Sequence, residues 1–556
     1  MADDNRLMAD DNRFMADDNR LMADNEQIGA DDKRLRAKGE LQTERGSRGA
    51  WLFYAGVVVA LLPVMMWRDF TPDNELRYLS IVDEALRNHD IFAFTNHGAA
   101  YADKPPLYFW YLMLCRVLAG GHCLWLAALG SLIPALATVG VMERWSRDLL
   151  KSDMRGAARL MLITSAYFLG AAVILRMDML MCLFIVLALR TFWKLHEGNG
   201  KKRDRWLLPL YLFLALFTKG PLGILIPLAA TSVFLALKGE IRQWTKYWGW
   251  RTWVPLLVLC GLWFWGVYAD GGKEYLDNLL FHQTVDRAVD SFHHKRPFHY
   301  YLTAVWYIIA PWSLYVIGAI VADLRKPREL PALQQYFLTI GLTTLLLLSC
   351  ISSKLQIYFL PGVPFLVYSA MISLPKYKDN ILTKIALAFP AAVITLALPA
   401  LAVASQLDKA ADYMGWAVYA MGGLLTAGGA TALFLLFRRS AKEAIAAIGI
   451  AMLTAVFAGG FALRGLNGEM GYGAVCREAK KTAEAAGTDI YYTWGIRRAE
   501  NMDVYLGKEV VILEEDSVPD TSALGGGLLL VKEKDAEKFG RYEVRKVTPY
   551  AIIVMR

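Results

Sequence analysis

The chain has 556 residues, 56% of them hydrophobic and 20% charged, with a formal net charge of +8. The apolar residues come in blocks separated by short basic connectors, the pattern of a polytopic membrane protein and not of one large soluble core. Most Lys and Arg sit in those connectors, so the positive balance reads as topology and argues against a nucleic-acid partner. Six scattered cysteines without a CxxC pair indicate neither a disulfide framework nor a thiolate metal site.

The chain opens on a tandem repeat of period seven, MADDNRL, MADDNRF, MADDNRL, MADNEQI, then GADDKRL. It lacks the apolar core of a signal peptide. A heptad period invites a coiled coil, but the apolar residues are adjacent (Leu7, Met8, Ala9) and spread around a helix instead of forming a seam. Residues 1–49 therefore read as a solvated, disordered cytoplasmic tail. Basic connectors stay in the cytoplasm, so the first apolar helix, about Trp51 to Trp67, runs outward.

The next basic connector is Glu143–Arg159, and the interval Pro106–Met142 is too short for three spans. One span, about His122 to Met142, crosses there, and PPLYFWYLMLCRVLAG lies along the outer interface. Alternation continues through a short outer turn at Asp178, a turn at Thr218-Lys219-Gly220-Pro221, and an outer polar segment containing HQTVDR and HHKRPFHYY. It ends at about thirteen spans, with residues 50–464 forming the membrane domain. Residues 465–556 change character. DIYYTW, EVVILE, GGLLLVKE and PYAIIVMR read as strands, while CREAKKTAEAAG and DAEKFG read as helical, which makes a small α/β domain on the outer side.

This topology puts the polar residues that do not mark orientation on one face. They are Asp73, Asn74 and Glu75 in PDNELRY, Asp103 and Lys104, Asp178, Lys219, His282 and Arg287, and Lys354 with Tyr358. Cations and carboxylates converging on an outer cavity point to a phosphate-binding site with acid/base groups beside it. Each residue also has a plain structural reading. Lys104 can snorkel as an interfacial anchor, Asp178 can cap the next helix, Lys219-Gly220-Pro221 can be a tight turn, and Tyr358 can sit in an aromatic belt. A transporter or flippase would instead place charges at the bilayer midplane and show an inverted repeat, and no such repeat is seen.

The motifs PDNELRY, DKPP, RMD, TKGP, the His282/Arg287 pair, RPFHYY and SSKLQIYFLP stand in an order that resembles a known family. The chain from Trp51 onward is similar to bacterial lipid A aminoarabinose transferases and their protein O-mannosyltransferase relatives, which have the GT-C fold. The resemblance implies an α-helical polytopic protein of about thirteen transmembrane helices with a small C-terminal α/β domain. It implies an inner-membrane enzyme that moves a sugar, best matched by 4-amino-4-deoxy-L-arabinose, from undecaprenyl phosphate to lipid A or another envelope acceptor. The acceptor alternatives are a protein hydroxyl or another glycolipid.

Lys104, Arg287 and Tyr358 match the family's phosphate-holding positions, with Lys219 and Lys354 as further cations. The family's catalytic acid lies in Asp-Glu-x-Arg-Tyr. Counting back from Arg77-Tyr78 reaches Asn74 followed by Glu75, whereas the nearest aspartate is Asp73, so Asp73 and Glu75 are both candidates. Asp178 is a third candidate base for a hydroxyl acceptor. In relatives an acidic residue and a histidine can hold a divalent metal; the matching positions are Asp103 and His282, a pair that suits zinc but is an incomplete ligand set.

Overall fold

A computed structural model describes residues 49–280, 296–407, 411–438, 440–514, 518–521 and 524–555. The chain divides into two compact units, 1–58 and 59–556. The described part of the first is the opening of helix α1, Gly49–Trp67. The heptad repeat, His282 and Arg287 lie outside the described residues.

Among the described residues nine helices are long and apolar enough to cross a bilayer. After α1, helix α2 (Arg77–Asn88) leads into a small hairpin, β1 (Thr95–Asn96) and β2 (Ala99–Ala100), and then α3 (Leu107–Ala119). Helix α4 (Leu124–Ser146) is the expected crossing. Helices α5 (Arg155–Ile163) and α6 (Ala166–Val173) form a pair bent by 69°, which raises the count to ten if taken as one span. The bend has a local cause. Thr164 and Ser165 each turn their hydroxyl back onto the carbonyl four residues earlier, at 2.6 and 2.8 Å. The freed Ala166 amide donates to the Ala310 carbonyl at 2.8 Å.

Among the described residues, the count of thirteen expected from charge is not reached by full-length helices. α3 has 13 residues, and α8 (Asp204–Lys219) and α9 (Leu222–Leu237), which follow α7 (Asp178–His196), have 16 each. Sixteen residues reach about 24 Å, short of a hydrocarbon core of about 30 Å. Alternating charge registers each reversal of direction, including reversals made by helices too short to cross unaided. Side chains such as Leu257 (63% exposed) and Trp265 (70% exposed) leave an apolar surface that suits lipid and not water. The protein is a multi-pass membrane protein.

The C-terminal domain contains all four expected strands and one more. Its sheet runs β4 (Val511–Ile512), β3 (Tyr491–Thr493), β5 (Gly527–Lys532), β7 (Tyr550–Met555), β6 (Glu543–Val547). β3 is parallel to β4 and β5, and β7 is antiparallel to β5 and β6. Leu529, Val531 and Ile553 pack with Trp494 and Phe539 on one face. The strand missing from the sequence reading, EVRKV, is a charged edge strand whose alternation is too polar to stand out. DAEKFG forms only a 3₁₀ turn, Glu533–Phe539.

This domain grips the segment after α1. Asp69 accepts from the Gly473 amide at 2.7 Å and from the Tyr505 hydroxyl, and its own amide donates to Asn467 at 2.9 Å. Asn467 in turn donates to the Trp67 carbonyl at 2.8 Å. A Cβ on Gly473 would lie 2.6 Å from the Asp69 carboxylate, closer than any carbon–oxygen contact tolerates. Gly473→Ala is therefore expected to weaken this grip by about 1–3 kcal/mol. The check is the thermal midpoint of the purified protein in detergent, which should fall for Gly473→Ala and not for Ala substitution at the open position Gly465.

Candidate active site

The stretch Tyr101-Ala102-Asp103-Lys104 is placed by a pinned loop. Asp270 accepts the amides of Ile91, Phe92 and Ala93 at 2.7 to 3.0 Å. Glu84 on α2 accepts from Thr95, His97 and Gly98 in the hairpin, at 2.5 to 2.9 Å. Tyr275 receives the Phe94 amide at 3.0 Å and donates to the Tyr101 carbonyl at 2.8 Å. Pro105 and Pro106 then start α3, where missing N–H groups cost nothing. Asp103 holds the Lys104 ammonium at 3.0 Å and accepts from the Tyr101 hydroxyl at 3.3 Å.

The second half of the site is buried. Asp178 opens α7 and is 1% exposed, and its carboxylate is gripped by Lys219 on one oxygen and by Arg176 at 3.1 Å on the other. Lys219 ends α8, and the next residue, Gly220, has φ 107° and ψ −158°, a conformation open only to glycine. The TKGP motif thus places a cation at a helix end instead of continuing the helix. The Tyr358 ring lies under the Lys219 ammonium at 4.6 Å. Lys104 is close enough for its charge to act on Lys219. Asp103, Arg176 and Asp178 all act on Tyr78, whose phenol burial pushes up to about 12, so it stays a neutral donor.

The structure therefore joins Asp103, Lys104, Asp178, Lys219 and Tyr358 in one electrostatic neighbourhood. It adds Arg176, which the sequence reading passed over although it stands in the quoted RMD motif. Two cations on one buried carboxylate leave local positive charge, the condition for holding an anion.

Three expected residues are held by partners outside that cluster. Glu75 is fully buried and accepts two bonds from Arg68, at 2.5 and 2.6 Å. It also accepts from the Thr71 amide and hydroxyl and from the Leu175 amide, at 2.8 to 3.0 Å. That bonding makes it an anchor for the loop carrying Arg176 and Asp178. Asp73 is half exposed and pairs with Arg497 of the C-terminal domain at 3.0 Å. Lys354, 4% exposed, gives its ammonium to the carbonyls of Ile351 and Arg296 at 2.5 and 3.1 Å, and so ties two loops.

The expected metal pair, Asp103 and His282, includes a residue that lies outside the described part of the chain. Among the described residues no group of three His, Cys, Asp or Glu gathers, and the Asp103 carboxylate already holds Lys104 and Tyr101. No step is assigned to a metal.

No protein-family profile matches the chain. An undecaprenyl phosphate-alpha-4-amino-4-deoxy-L-arabinose arabinosyl transferase of Edwardsiella ictaluri is 27% identical over 323 residues. A protein of the same name from Serratia proteamaculans is 23% identical over 327 residues. The chain matches a little over half the length of these relatives, 56% and 57%. Among solved structures, ArnT from Cupriavidus metallidurans bound to undecaprenyl phosphate superposes with a TM-score of 0.72 at 17% identity. That match covers 91% of this chain and 98% of the other. The chain has the ArnT fold. The apo form of the same ArnT matches with a TM-score of 0.70, over the same shares of both chains. The ArnT fold is the GT-C membrane fold expected from the sequence, with its C-terminal sheet domain.

Proposed function

We propose that this protein is a polyprenyl-phosphate-dependent glycosyltransferase acting at the outer face of the bacterial inner membrane. Its donor is undecaprenyl phosphate carrying a sugar, best matched by 4-amino-4-deoxy-L-arabinose, and its acceptor is lipid A or a related envelope lipid. The N-terminus is cytoplasmic and the C-terminal domain periplasmic in this reading. The observation that carries it is the Lys219–Asp178–Arg176 cluster, overlaid by Tyr358 and within reach of the Lys104 charge.

The chemistry follows from charge. When the glycosidic bond breaks, the pair of electrons goes to the phosphate oxygen, and the leaving lipid phosphate gains negative charge. Cations held in place by their own partners meet that charge without rearranging, so they stabilise the transition state more than the ground state. Asp178 supplies the holding for Lys219 and Arg176. Tyr78 adds a neutral hydroxyl in the same neighbourhood.

The carboxylates also bear on the acceptor. Asp178, Glu75 and Asp73 are each engaged by a cation. This supports an acceptor that is already an anion, such as a lipid phosphate, which needs no general base. Attack by that anion on the anomeric carbon from the face opposite the leaving phosphate would invert the configuration.

The test is mass spectrometry of envelope lipids from cells with and without the protein. Lipid A gaining one aminopentose only when the protein is present is the expected result. Unchanged lipid A beside altered glycoprotein or another glycolipid would replace the acceptor. Transport of a lipid-linked sugar without any transfer would replace the enzyme by a flippase.

A further inference from the structure

We infer that a second cavity, at the C-terminal ends of α2 and α3, receives a phosphate-bearing lipid headgroup. The cavity has a volume of about 710 Å³ and is walled by these two helices and by residues 503–509 of the C-terminal domain. Arg87 comes to it from α2, Arg116 from α3 and Lys508 from the C-terminal domain. It differs from the Lys219 cluster in its lining, which includes none of Lys104, Arg176, Asp178, Lys219 and Tyr358.

Two of these cations already have an acidic partner, Arg116 in Asp83 and Lys508 in Asp489. Asp83 is already satisfied, accepting from Arg116 at 2.9 Å and from His122 at 2.8 Å. Burial alone would raise its carboxyl, yet those two bonds hold it below the usual carboxylate range. Asp503 accepts from Ser80 at 2.7 Å and faces His97 at 4.0 Å, and burial pushes its carboxyl up, toward the neutral form. Glu509 is the remaining acid. Lys508 pairs with Asp489 on an open surface, where both side chains are at least half exposed. Such a pair is worth little and exchanges readily for a phosphate.

The other wall is apolar, and it continues out of the cavity. Val117 lines the cavity and is 64% exposed, and Leu114 and Leu118 beside it on α3 are 55% and 70% exposed. Spacing of three and four puts them on one stripe of the helix. A free phosphate would use the cations and leave that stripe bare. An anionic lipid uses both, with its head in the cavity and its chains along α3. The inference does not depend on the transfer reaction.

The experiment measures binding of dioleoyl phosphatidic acid, dioleoyl phosphatidylcholine and inorganic phosphate to the full chain in detergent by native mass spectrometry. It is done in a Lys104→Ala background, which weakens the first anion site as a competitor. Phosphatidic acid should bind about tenfold or more tighter than phosphatidylcholine, and adding Arg87→Glu and Lys508→Glu should remove that preference. Both residues are exposed, and an unchanged size-exclusion profile shows that the variant is folded. Unchanged phosphatidic acid binding in the folded variant would overturn the inference. Inorganic phosphate binding as tightly as the lipid would overturn it too. Absence of sugar transfer by the unsubstituted protein in cells, with this binding intact, would refute the transferase reading alone.

Discussion

Lys104→Ala is expected to lower kcat/KM for sugar transfer by about 10²–10³-fold while leaving the protein inserted and folded. The magnitude comes from the ion pair that would be lost. Two unit charges about 4 Å apart at an effective dielectric near 20 attract by about 4 kcal/mol. A factor of 10²–10³ corresponds to about 2.7–4 kcal/mol. The fold does not depend on Lys104, whose side chain is 17% exposed and whose ion-pair partner is its neighbour Asp103. Lys104→Arg should restore part of the loss, because the charge matters more than the shape. The readout is turnover with a purified lipid-linked donor, beside the thermal midpoint of the same preparation. Full activity in Lys104→Ala would remove Lys104 from the phosphate site.

The second large effect is expected at Glu75, and on stability first. Arg68 and Glu75 are 5% and 0% exposed, so Glu75→Ala strands a guanidinium in the interior. Removing one partner of a buried pair costs about 3–5 kcal/mol. The same change at Asp73, whose partner Arg497 is 78% exposed, should cost about 0–1 kcal/mol. Pairing Glu75→Ala with Arg68→Leu removes the stranded charge and should recover much of the stability. Thermal midpoints and denaturation curves in detergent check this contrast. A Glu75→Ala protein that is inactive yet as stable as the parent would return Glu75 to the role of catalytic base.

Comparison of these residues shows what the sequence made legible. Charge in the connectors placed Lys104, Asp178, Lys219 and Tyr358 on one side of the membrane, because charged connectors resist translocation and so mark orientation. Their gathering in the fold is compatible with one shared side. What the sequence could not show is partnership across distance. Asp178 and Lys219 are 41 residues apart, and Glu75 meets Leu175 across 100. PDNELRY offers Asp73 and Glu75 as equals. Only the fold shows that one turns toward Arg497 and the other toward Arg68. Arg176 was within the quoted RMD motif, yet an arginine near a helix start reads as topogenic until Asp178 is seen to hold it. Lys354 shows the opposite failure. It looked like a free cation in a polar loop, and the fold engages it with two backbone carbonyls.

The central claim is that a polyprenyl phosphate sits among Lys104, Lys219 and Arg176. The measurement that tests it most directly is a cryo-electron microscopy map of the protein with undecaprenyl phosphate. The account predicts phosphate density within hydrogen-bond reach, about 3 Å, of the Lys104 and Lys219 ammonium groups, with the lipid chain leaving toward the bilayer. Phosphate density on another face, with Lys219 still held by Asp178 alone, would contradict it.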